Sequence, residues 1–566
     1  MAKNGKNQDF EKELLEEGSG YAHGSTNFQK WGLDLHPVVA PVSAIIVLAF
    51  VVPTIIFPEQ AETVFEEVQD AIANYGGWFY VLVANIFLGV ILIFAFSKFG
   101  RIRLGGQDAQ PEFSTFAWFA MLLSAGMGIG LMFWSVGEPI FHFDSPPAIF
   151  GSEGGTSEAA ETAMTLTFYH WGLHPWGLYA LVGLGLAFFT FNRGLPLTMR
   201  SIFYPLIGER IYGLPGDIID ILAVVANLFG LATSLGLGVQ QVAAGMEFLV
   251  EAVPSNVTTQ VILIAIITGF ATLSVVAGLD GGVRRLSELN LVVAAVFMVF
   301  VLILGPTLFI FDTFVQNLGN YIARFPMLSF WTESFEEGEG GWQNAWTVFY
   351  WGWWISWSPF VGMFIARVSR GRTIQEFVMG VLIIPSLLSF LWLSVMGGTA
   401  LNLEITGVTD MVEPVNDDVA TGMFVMLENL PLVFLSSLVA IILVTIFFVT
   451  SSDSGSLVVD NLTSGGKLDS PVTQRIFWAV MEGVVAAALL IGGGEEGLTA
   501  LQTASITTGL PFAFLLLVMC YSLNRGLGQE LRELEIAELR DAEAKREEKI
   551  AAIMSSRQSA NFAQDE

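Results

Sequence analysis

Residues 342–370 read WQNAWTVFYWGWWISWSPFVGMFIARVSR and carry six of the protein's 15 tryptophans. The segment is long enough to cross a bilayer and holds no charge before Arg367. On a helix, rings recur at i, i+4, i+7, i+8 and i+11 and form one stripe: Trp346, Tyr350, Trp353, Trp354 and Trp357. Membrane tryptophans usually lie at the two interfaces, whereas Trp354 lies about half a span from either end. A stripe at that depth either packs helices together or holds a cation against its ring faces.

The composition indicates a polytopic membrane protein. Of the 566 residues, 53% are hydrophobic and only 14% are charged, against about 25% in an ordinary soluble chain. The net charge of −28 argues against a nucleic-acid partner, and it fits either acidic loops or adaptation to high salt. The single cysteine, Cys520, excludes an intrachain disulfide, and we expect no signal peptide in the polar, acidic N-terminus.

Apolar runs of spanning length predict twelve transmembrane helices. They lie at about 38–58, 77–97, 115–136, 162–191, 216–248, 258–279, 287–311, 342–366, 375–397, 430–450, 473–493 and 505–524. Lys and Arg are absent between Arg103 and Arg193. Along the rest of the chain, connections that contain Lys or Arg alternate with connections that lack them, except for Arg324 in a long outer loop. This alternation follows the positive-inside rule and predicts a multi-pass protein of the cell membrane with both termini cytoplasmic.

Two spans carry patterns that disturb a helix interior. Gly126, Gly128 and Gly130 interrupt the third span in SAGMGIGLMFWSVGEP, and each costs a helix about 0.5–1 kcal/mol. The tenth span ends in FFVTSSDSGS, with hydroxyls at Thr450 and Ser451. Taken separately, the glycines suit close helix packing and the hydroxyls suit bonds to their own helix carbonyls. Taken together, free carbonyls and side-chain hydroxyls at mid-depth are typical of the sodium site of a secondary transporter.

The fourth span, YHWGLHPWGLY, adds aromatic residues at mid-depth. Trp171, Trp176 and Tyr179 share one arc of the helix, and we expect Pro175 to kink it there. The pair His170/His174 has neither a carboxylate nor a cysteine partner in the pattern, so we interpret it as structural and not as a metal site. No intramembrane cluster of His, Asp and Glu stands out, which makes an enzyme the least expected class of protein.

Three of these motifs resemble the betaine/carnitine/choline transporter family: GMGIGLMF in span three, HWGLHPW in span four and FYWGWWISWSPFVGMFIARVSRGR in span eight. The resemblance covers about residues 38–525 and is nearest to the sodium-coupled glycine betaine transporters. It implies an all-α, LeuT-like fold of two five-helix inverted repeats with two extra N-terminal helices, and a homotrimer. Spans three and eight lie five helices apart, and an inverted repeat requires such an odd spacing.

The resemblance also implies a division of the chain into six segments. In order, they are a cytoplasmic tail (1–37), two extra transmembrane helices (38–97), the first repeat with spans three to seven (98–311), an outer amphipathic segment (312–341), the second repeat with spans eight to twelve (342–524) and a cytoplasmic C-terminal helix (525–566). The last segment holds seven Lys or Arg against ten Asp or Glu, so we do not expect regulation through anionic lipid.

By motif position, the resemblance implies an aromatic box for a trimethylammonium group. Its members would be Trp171, Trp176, Tyr179 and Trp354, with Trp357 receiving the solute one turn further along. A quaternary ammonium cannot donate a hydrogen bond, so ring faces are its natural ligands, each contributing about 0.5–2 kcal/mol. The glycines of span three, Gly126, Gly128 and Gly130, would complete the substrate site, and a glycine at the last position favours betaine over choline.

The resemblance implies one sodium site and suggests a possible second sodium site. The first would use the main-chain carbonyls of Ser124, Met127 and Phe447 and the hydroxyls of Thr450 and Ser451.

The second site would use two threonines of span five and a phenylalanine of span eight. The phenylalanine is Phe360, but the threonine positions hold Asn227 and Leu231, of which only Asn227 offers an oxygen. Span five contains no Lys or Arg that could take the place of sodium, which favours sodium coupling.

We therefore predict a secondary active transporter that carries glycine betaine, or a similar quaternary-ammonium compatible solute, with sodium by alternating access. Sodium would order the broken span and so complete the box, and each ligand would raise the affinity of the other by the same factor. The expected partners are the solute, sodium as the coupling ion, membrane lipid and the other subunits of the trimer, with no cofactor. Two alternatives stay open: choline or carnitine uptake driven by protons or exchange, and a membrane receptor that binds quaternary ammonium compounds without moving them.

Overall fold

The protein is almost entirely helical. The computed structural model describes residues 24–126, 128–277, 282–335, 341–494 and 497–562. Within these ranges the only extended pairings are the isolated bridges Phe28–Leu35 and Arg103–Thr373. The long helices are α1 (Val39–Ile56), α2 (Pro58–Phe96), α3 (Thr115–Gly126), α4 (Ile129–Asp144), α5 (Ser157–Trp171), α6 (Leu173–Phe191), α7 (Leu214–Leu249), α8 (Val257–Ala277), α9 (Gly282–Leu304), α10 (Thr307–Phe330), α11 (Phe349–Val368), α12 (Ile374–Ile405), α13 (Val433–Thr463), α14 (Val472–Gly492) and α15 (Gly497–Phe562). The predicted all-α polytopic membrane fold is confirmed.

Short helices occupy the connections. Three are α-helical: Tyr204–Ile207, Val412–Asp417 and Gly422–Glu428. Five are 3₁₀-helical: Lys98–Arg101, Ala148–Phe150, Met199–Phe203, Gly208–Tyr212 and Val419–Thr421. A π-helical turn, Asn344–Val348, leads directly into α11.

In the described residues, ten helices are long and apolar enough to cross a membrane, and the bent pair α3–α4 brings the number to eleven. The remaining predicted span corresponds to α11, which has 20 residues but many tryptophans, whose hydropathy is low. Most of α11 is buried within the single chain. The number twelve, the inverted repeat and the segment boundaries stay predictions.

The third span is broken where its glycines lie. The axes of Thr115–Ser124 and Ile129–Asp144 differ by 63°. Between them, Gly128 has an extended backbone, with φ −165° and ψ −175°. Met127 lies outside the described residues, so its predicted role as a sodium ligand stays a prediction.

The fourth span is also broken, at Gly172, three residues before Pro175 and within the arc where the sequence predicts a kink. Pro175 is the third residue of α6, and the first turn of a helix tolerates proline because its N–H groups have no intrahelical acceptor. A Cβ at Gly172 would lie 2.7 Å from the main-chain oxygen of Phe168. The helix therefore ends at a glycine that has no room for a side chain, and a new helix begins immediately after it.

α7 runs through the middle of the helix bundle. It packs along α13 on one side and against α11 and α15 on others, while α11 packs along α6. The N-terminal helices are peripheral, with α2 against α6 and α15, and α1 against α7 and α14. The broken helices α3–α4 and α5–α6 thus meet α11 and α13 inside the bundle.

The segment before α1 is anchored to one end of the bundle by polar contacts. The Asp34 carboxylate pairs with Lys467 at 2.5 Å. His36 Nε2 lies 3.4 Å from Asp217, which also pairs with Arg200 at 3.0 Å. Burial and the nearby Arg200 guanidinium lower the pKa of His36, and the Asp217 carboxylate opposes that shift. This end of the bundle therefore holds a compact network of ionisable groups.

The last span continues without interruption into the C-terminal tail, because α15 extends to Phe562. Its glutamates reach basic residues in two loops. Arg193 pairs with Glu530 at 3.0 Å, and Arg101 pairs with Glu538 at 3.0 Å. The tail helix therefore contacts the loops that follow α2 and α6.

Candidate binding site

Trp171 on α5 and Trp354 on α11 form the centre of an aromatic cluster. Their ring centroids lie 4.9 Å apart at 72°, an edge-to-face arrangement. The indole N–H of Trp354 donates to the main-chain carbonyl of His170 at 3.1 Å. The carbonyls in the last turn of a helix lack partners within the helix. Because α5 ends at the Gly172 break, the carbonyl of His170 is available to fix the ring on α11.

The other predicted box residues join the same cluster. Tyr179 lies 6.3 Å from Trp354 and 6.4 Å from Trp357 between ring centroids, and Trp176 lies 5.4 Å from Tyr179. All of these contacts are edge-to-face. Trp171, Trp176, Tyr179 and Trp354 are each less than a tenth exposed. The structure therefore brings all five predicted aromatic residues together, although their role in binding stays a prediction.

Trp353 belongs to the cluster as well, although the sequence interpretation left it out of the box. Its ring stacks on Trp354 at 4.5 Å and 16°. Its indole N–H donates to the main-chain carbonyl of Gly230 at 3.3 Å. The signal was present in the stripe, which places both residues on one side of α11. Periodicity alone does not tell which of two adjacent rings would contact a ligand and which would support its neighbour.

Two of the three motif glycines contact this cluster. A Cβ at Gly130 would lie 2.7 Å from the ring of Trp353 and 2.9 Å from that of Trp171. A Cβ at Gly128 would lie 4.0 Å from the ring of Trp357, which is ordinary van der Waals distance. Gly126 is the last residue of α3, and nothing more is described of its surroundings. Ring packing therefore requires a glycine at position 130, whereas at position 128 both the extended backbone and the surrounding space would accept a side chain.

A buried glutamate organises the far side of the cluster. Glu138 on α4 is fully buried, and its Oε2 accepts hydrogen bonds from the Trp171 indole at 2.8 Å and the Tyr350 hydroxyl at 2.5 Å. Its Oε1 lies 2.7 Å from His170 Nδ1 and 3.3 Å from His142 Nε2. The sequence interpretation that no intramembrane cluster of His, Asp and Glu stands out is therefore wrong. So is the view that His170 lacks a carboxylate partner.

Glu138, His142 and His170 lie close enough together to hold a metal ion, but their geometry suits a hydrogen-bond network better. Two ligands of one tetrahedral zinc would lie about 3.3 Å apart, and the shortest pair here lies at 2.7 Å. Four donors already converge on the carboxylate, the number that its lone pairs accept. His170 Nε2 continues the network to the Thr347 hydroxyl at 3.0 Å. The interpretation of the histidines as structural is kept, with Glu138 as the partner that holds His170.

Four of the predicted sodium ligands line one cavity of about 650 Å³. These residues are Ser124, Phe447, Thr450 and Ser451. The Thr450 hydroxyl donates to the main-chain carbonyl of Ile446 at 2.9 Å, the local bond that the sequence left open as an alternative. A hydroxyl keeps acceptor capacity while it donates, so this bond leaves an oxygen for a cation. Gly128 and Trp357 line the same cavity, which connects the predicted sodium ligands to the aromatic cluster.

The two residues proposed for a second sodium site are not brought together by this cavity. Phe360 lines it, whereas Asn227 does not appear among its lining residues in the described part of the chain. Asn227 is fully buried on α7, and neither polar atom of its amide has a hydrogen-bond partner among the described residues. Its oxygen is therefore available, but the second site stays a prediction.

Known proteins match this chain over nearly its whole length. A family model described as betaine/carnitine/choline family transporter matches residues 38–532. The chain is 49% identical over 517 residues to a glycine betaine/proline/choline transporter of Vibrio parahaemolyticus, covering 89% of this chain and 92% of the relative. It is 46% identical over 519 residues to glycine betaine transporter 1 of the same organism, covering 91% and 98%. It is 44% identical over 495 residues to the glycine betaine transporter of Acinetobacter baylyi, covering 87% and 74%.

Proposed function

The chain belongs to the betaine/carnitine/choline transporter family, and from that membership we propose that it imports glycine betaine or a closely similar solute together with sodium. Membership makes the protein a multi-pass membrane transporter of quaternary ammonium solutes and not an enzyme. The particular solute, the coupling ion and the alternating-access mechanism are the proposal. A homotrimer in the cell membrane with cytoplasmic termini belongs to the same proposal.

The buried aromatic cluster is the observation that carries the choice of solute. Trp171 and Tyr179 each lie edge-to-face against Trp354, at 72° and 80°. Each ring face contributes about 0.5–2 kcal/mol to a desolvated cation. A trimethylammonium group satisfies its charge there without donating a hydrogen bond.

Two donors within the cluster favour a zwitterion over a simple cation. The Tyr179 hydroxyl and the Trp357 indole N–H are buried and have no hydrogen-bond partner among the described residues. A buried donor without an acceptor costs about 1–3 kcal/mol. The carboxylate of glycine betaine would satisfy such donors, whereas choline ends in a neutral hydroxyl. Relatives named as glycine betaine transporters support the same choice.

Sodium coupling is supported by the chemistry of the cavity that adjoins the cluster. Ser124, Thr450 and Ser451 offer the hard oxygen ligands of a small cation beside a broken helix. Phe113 and Glu288 line the same cavity near connections that carry Arg103 and Arg285, which the positive-inside rule makes cytoplasmic. We infer that this conformation opens toward the cytoplasm and would release both ligands there.

Uptake into proteoliposomes tests the proposal. Radiolabelled glycine betaine, choline, carnitine and ectoine are offered with an inward sodium gradient, and again with sodium replaced by potassium. We expect glycine betaine to accumulate only with sodium. Accumulation of choline or carnitine without sodium would favour proton-linked or exchange-driven uptake. Binding without accumulation under any gradient would favour a receptor, and either result would overturn the proposal.

A further inference from the structure

A second fully buried glutamate lies away from the aromatic cluster. Glu482 is the central residue of α14, a helix of 21 residues that is apolar enough to cross a membrane. None of its side chain is exposed. Its carboxyl group therefore lies near mid-depth, where an ionised side chain costs at least about 2.5–3.5 kcal/mol.

Protein groups stabilise the two buried glutamates very differently. The Glu138 carboxylate is surrounded by four donors, which together replace a hydration shell. Glu482 has one hydrogen-bond partner, the Ser452 hydroxyl, at 2.8 Å from Oε2. Its Oε1 has no hydrogen-bond partner among the described residues. A buried carboxylate with one hydrogen bond is far from satisfied, because an ionised carboxylate has about four acceptor sites.

The helices packed against α14 bring no positive charge to Glu482. Neither α1 nor α8 contains an ionisable residue, and α7 has none between Asp220 and Glu247. In the membrane part of α15 the titratable residues are Cys520 and Tyr521.

The nearest charged groups on the remaining helices are mostly acidic. α13 contributes Asp453, a carboxyl group that interacts electrostatically with Glu482. The acidic first turns of α2 pack near Gly492, about 15 Å along α14. Arg475 is the other ionisable residue of α14, seven residues away or about 10 Å along the axis. Among the described residues, a negative charge on Glu482 would therefore have the carboxyl group of Asp453 as a neighbour and no cation close to it.

We propose that Glu482 is a proton-binding site, held as a neutral carboxylic acid in this conformation. As an acid, it can donate its proton to the Ser452 oxygen across the same 2.8 Å. Oε1 is then a neutral carbonyl oxygen, whose missing partner costs far less than an unpaired charge. The bound proton lets α13 and α14 pack closely at mid-depth.

The proton site lies behind the helix that carries the proposed sodium ligands. On α13, Thr450 and Ser451 line the cavity, whereas Ser452 faces α14 and Gly455 lies between Leu231 of α7 and Glu482. A Cβ at Gly455 would lie 3.4 Å from Glu482 Oε1. Loss of the proton would place a charge against α13 and disturb its packing. This link to transport rests on the proposed function, whereas the protonation of Glu482 does not.

Infrared spectroscopy of the purified full-length protein tests the protonation directly. In the difference between wild type and Glu482→Gln at neutral pH, we expect the carbonyl stretch of a protonated carboxylic acid, shifted in D₂O. The variant Glu538→Gln, at an exposed glutamate, should show carboxylate bands only. If Glu482→Gln does not fold, Ser452→Ala should shift the acid band by removing its hydrogen-bond partner. Carboxylate bands for Glu482, or no shift in Ser452→Ala, would overturn the proposal.

Uptake as a function of pH tests the link to transport. Wild-type uptake should fall at alkaline pH by up to about tenfold per pH unit beyond the midpoint, as the fraction of protonated acid does. Folded Glu482→Gln, a neutral mimic of the acid, should keep its uptake at neutral pH and lose that alkaline decline. An unchanged pH profile, or an inactive but folded variant, would overturn the link. A transporter that proves independent of sodium but shows the acid band would overturn only the proposed coupling ion.

Discussion

The Glu138 carboxylate and the Trp171 indole are joined by a hydrogen bond of 2.8 Å between α4 and α5. The same carboxylate oxygen accepts from Tyr350 on α11. One buried side chain thus fixes a ring of the proposed box from the helix that follows the glycine break. A rearrangement at that break would move the Trp171 ring, because the hydrogen bond connects the ring to α4.

Glu138→Gln should weaken glycine betaine binding, although Glu138 acts through Trp171 and not by contact with the solute. The amide accepts fewer hydrogen bonds and loses the charge, and a hydrogen bond to a charged group contributes about 1.5–3 kcal/mol. We expect the KM to rise about tenfold or more, since 1.4 kcal/mol corresponds to a factor of ten. Tyr350→Phe removes one of the four donors and should give a smaller rise. A wild-type KM in folded Glu138→Gln would contradict the role of Glu138 in positioning Trp171.

Trp354→Leu should abolish glycine betaine uptake while the protein still folds. The substitution removes a ring face, the bond to His170 and the stacking of Trp353. Trp392→Leu is the matched control, since Trp392 is equally buried but lies on α12, 6.4 Å from Phe297. Uptake per folded molecule, with folding checked by gel filtration, separates the two. Normal transport by Trp354→Leu would exclude this box.

Alanine should weaken binding strongly at Gly130 and only slightly at Gly128. At Gly130 the new methyl group would displace Trp353 or Trp171, and such overpacking costs about 1–3 kcal/mol. At Gly128 the methyl group has room. We expect about tenfold weaker binding in Gly130→Ala and a change of less than about threefold in Gly128→Ala, measured by tryptophan fluorescence titration. Equal effects would mean that ring packing does not explain Gly130.

The double variant Thr450→Ala/Ser451→Ala should raise the sodium concentration needed for half-maximal uptake. Loss of two oxygen ligands is expected to cost about 1–3 kcal/mol, or about tenfold or more in that concentration. Thr445→Ala is the control, because the Thr445 hydroxyl donates to its own helix carbonyl at 2.8 Å one turn earlier on α13. If both variants keep the wild-type sodium dependence, the cation binds elsewhere.

Tyr179→Phe should discriminate between a zwitterion and a cation. The ring face remains, but the unpartnered hydroxyl donor is removed. We expect glycine betaine affinity to fall about fivefold to tenfold, from a lost hydrogen bond of about 1–1.5 kcal/mol, while choline affinity changes little. Competition between the two solutes measures this ratio. A parallel loss for both would show that the hydroxyl does not recognise the carboxylate.

Local patterns in the sequence located the aromatic residues because a helix repeats every 3.6 residues. The same patterns missed the Glu138 network, because His170 and Tyr350 lie 32 and 212 residues away in the chain, although His142 lies only four residues away on the same helix. They also predicted a kink of span four within residues 171–179, and the helix is broken there, at Gly172. Contacts between distant segments complete the Glu138 network, and spacing within one segment shows only its pair with His142.

The unbroken helix α15 has a mechanical consequence. Its 66 residues extend about 100 Å, roughly three times the hydrocarbon thickness of a bilayer. One end touches the centre of the bundle, where Thr233 on α7 donates to the carbonyl of Leu501 at 2.9 Å. Residues 541–554, toward the other end, are exposed. For a straight helix of this length, a tilt of a few degrees at the core would displace the far end by several ångströms, because the displacement grows with the distance from the pivot.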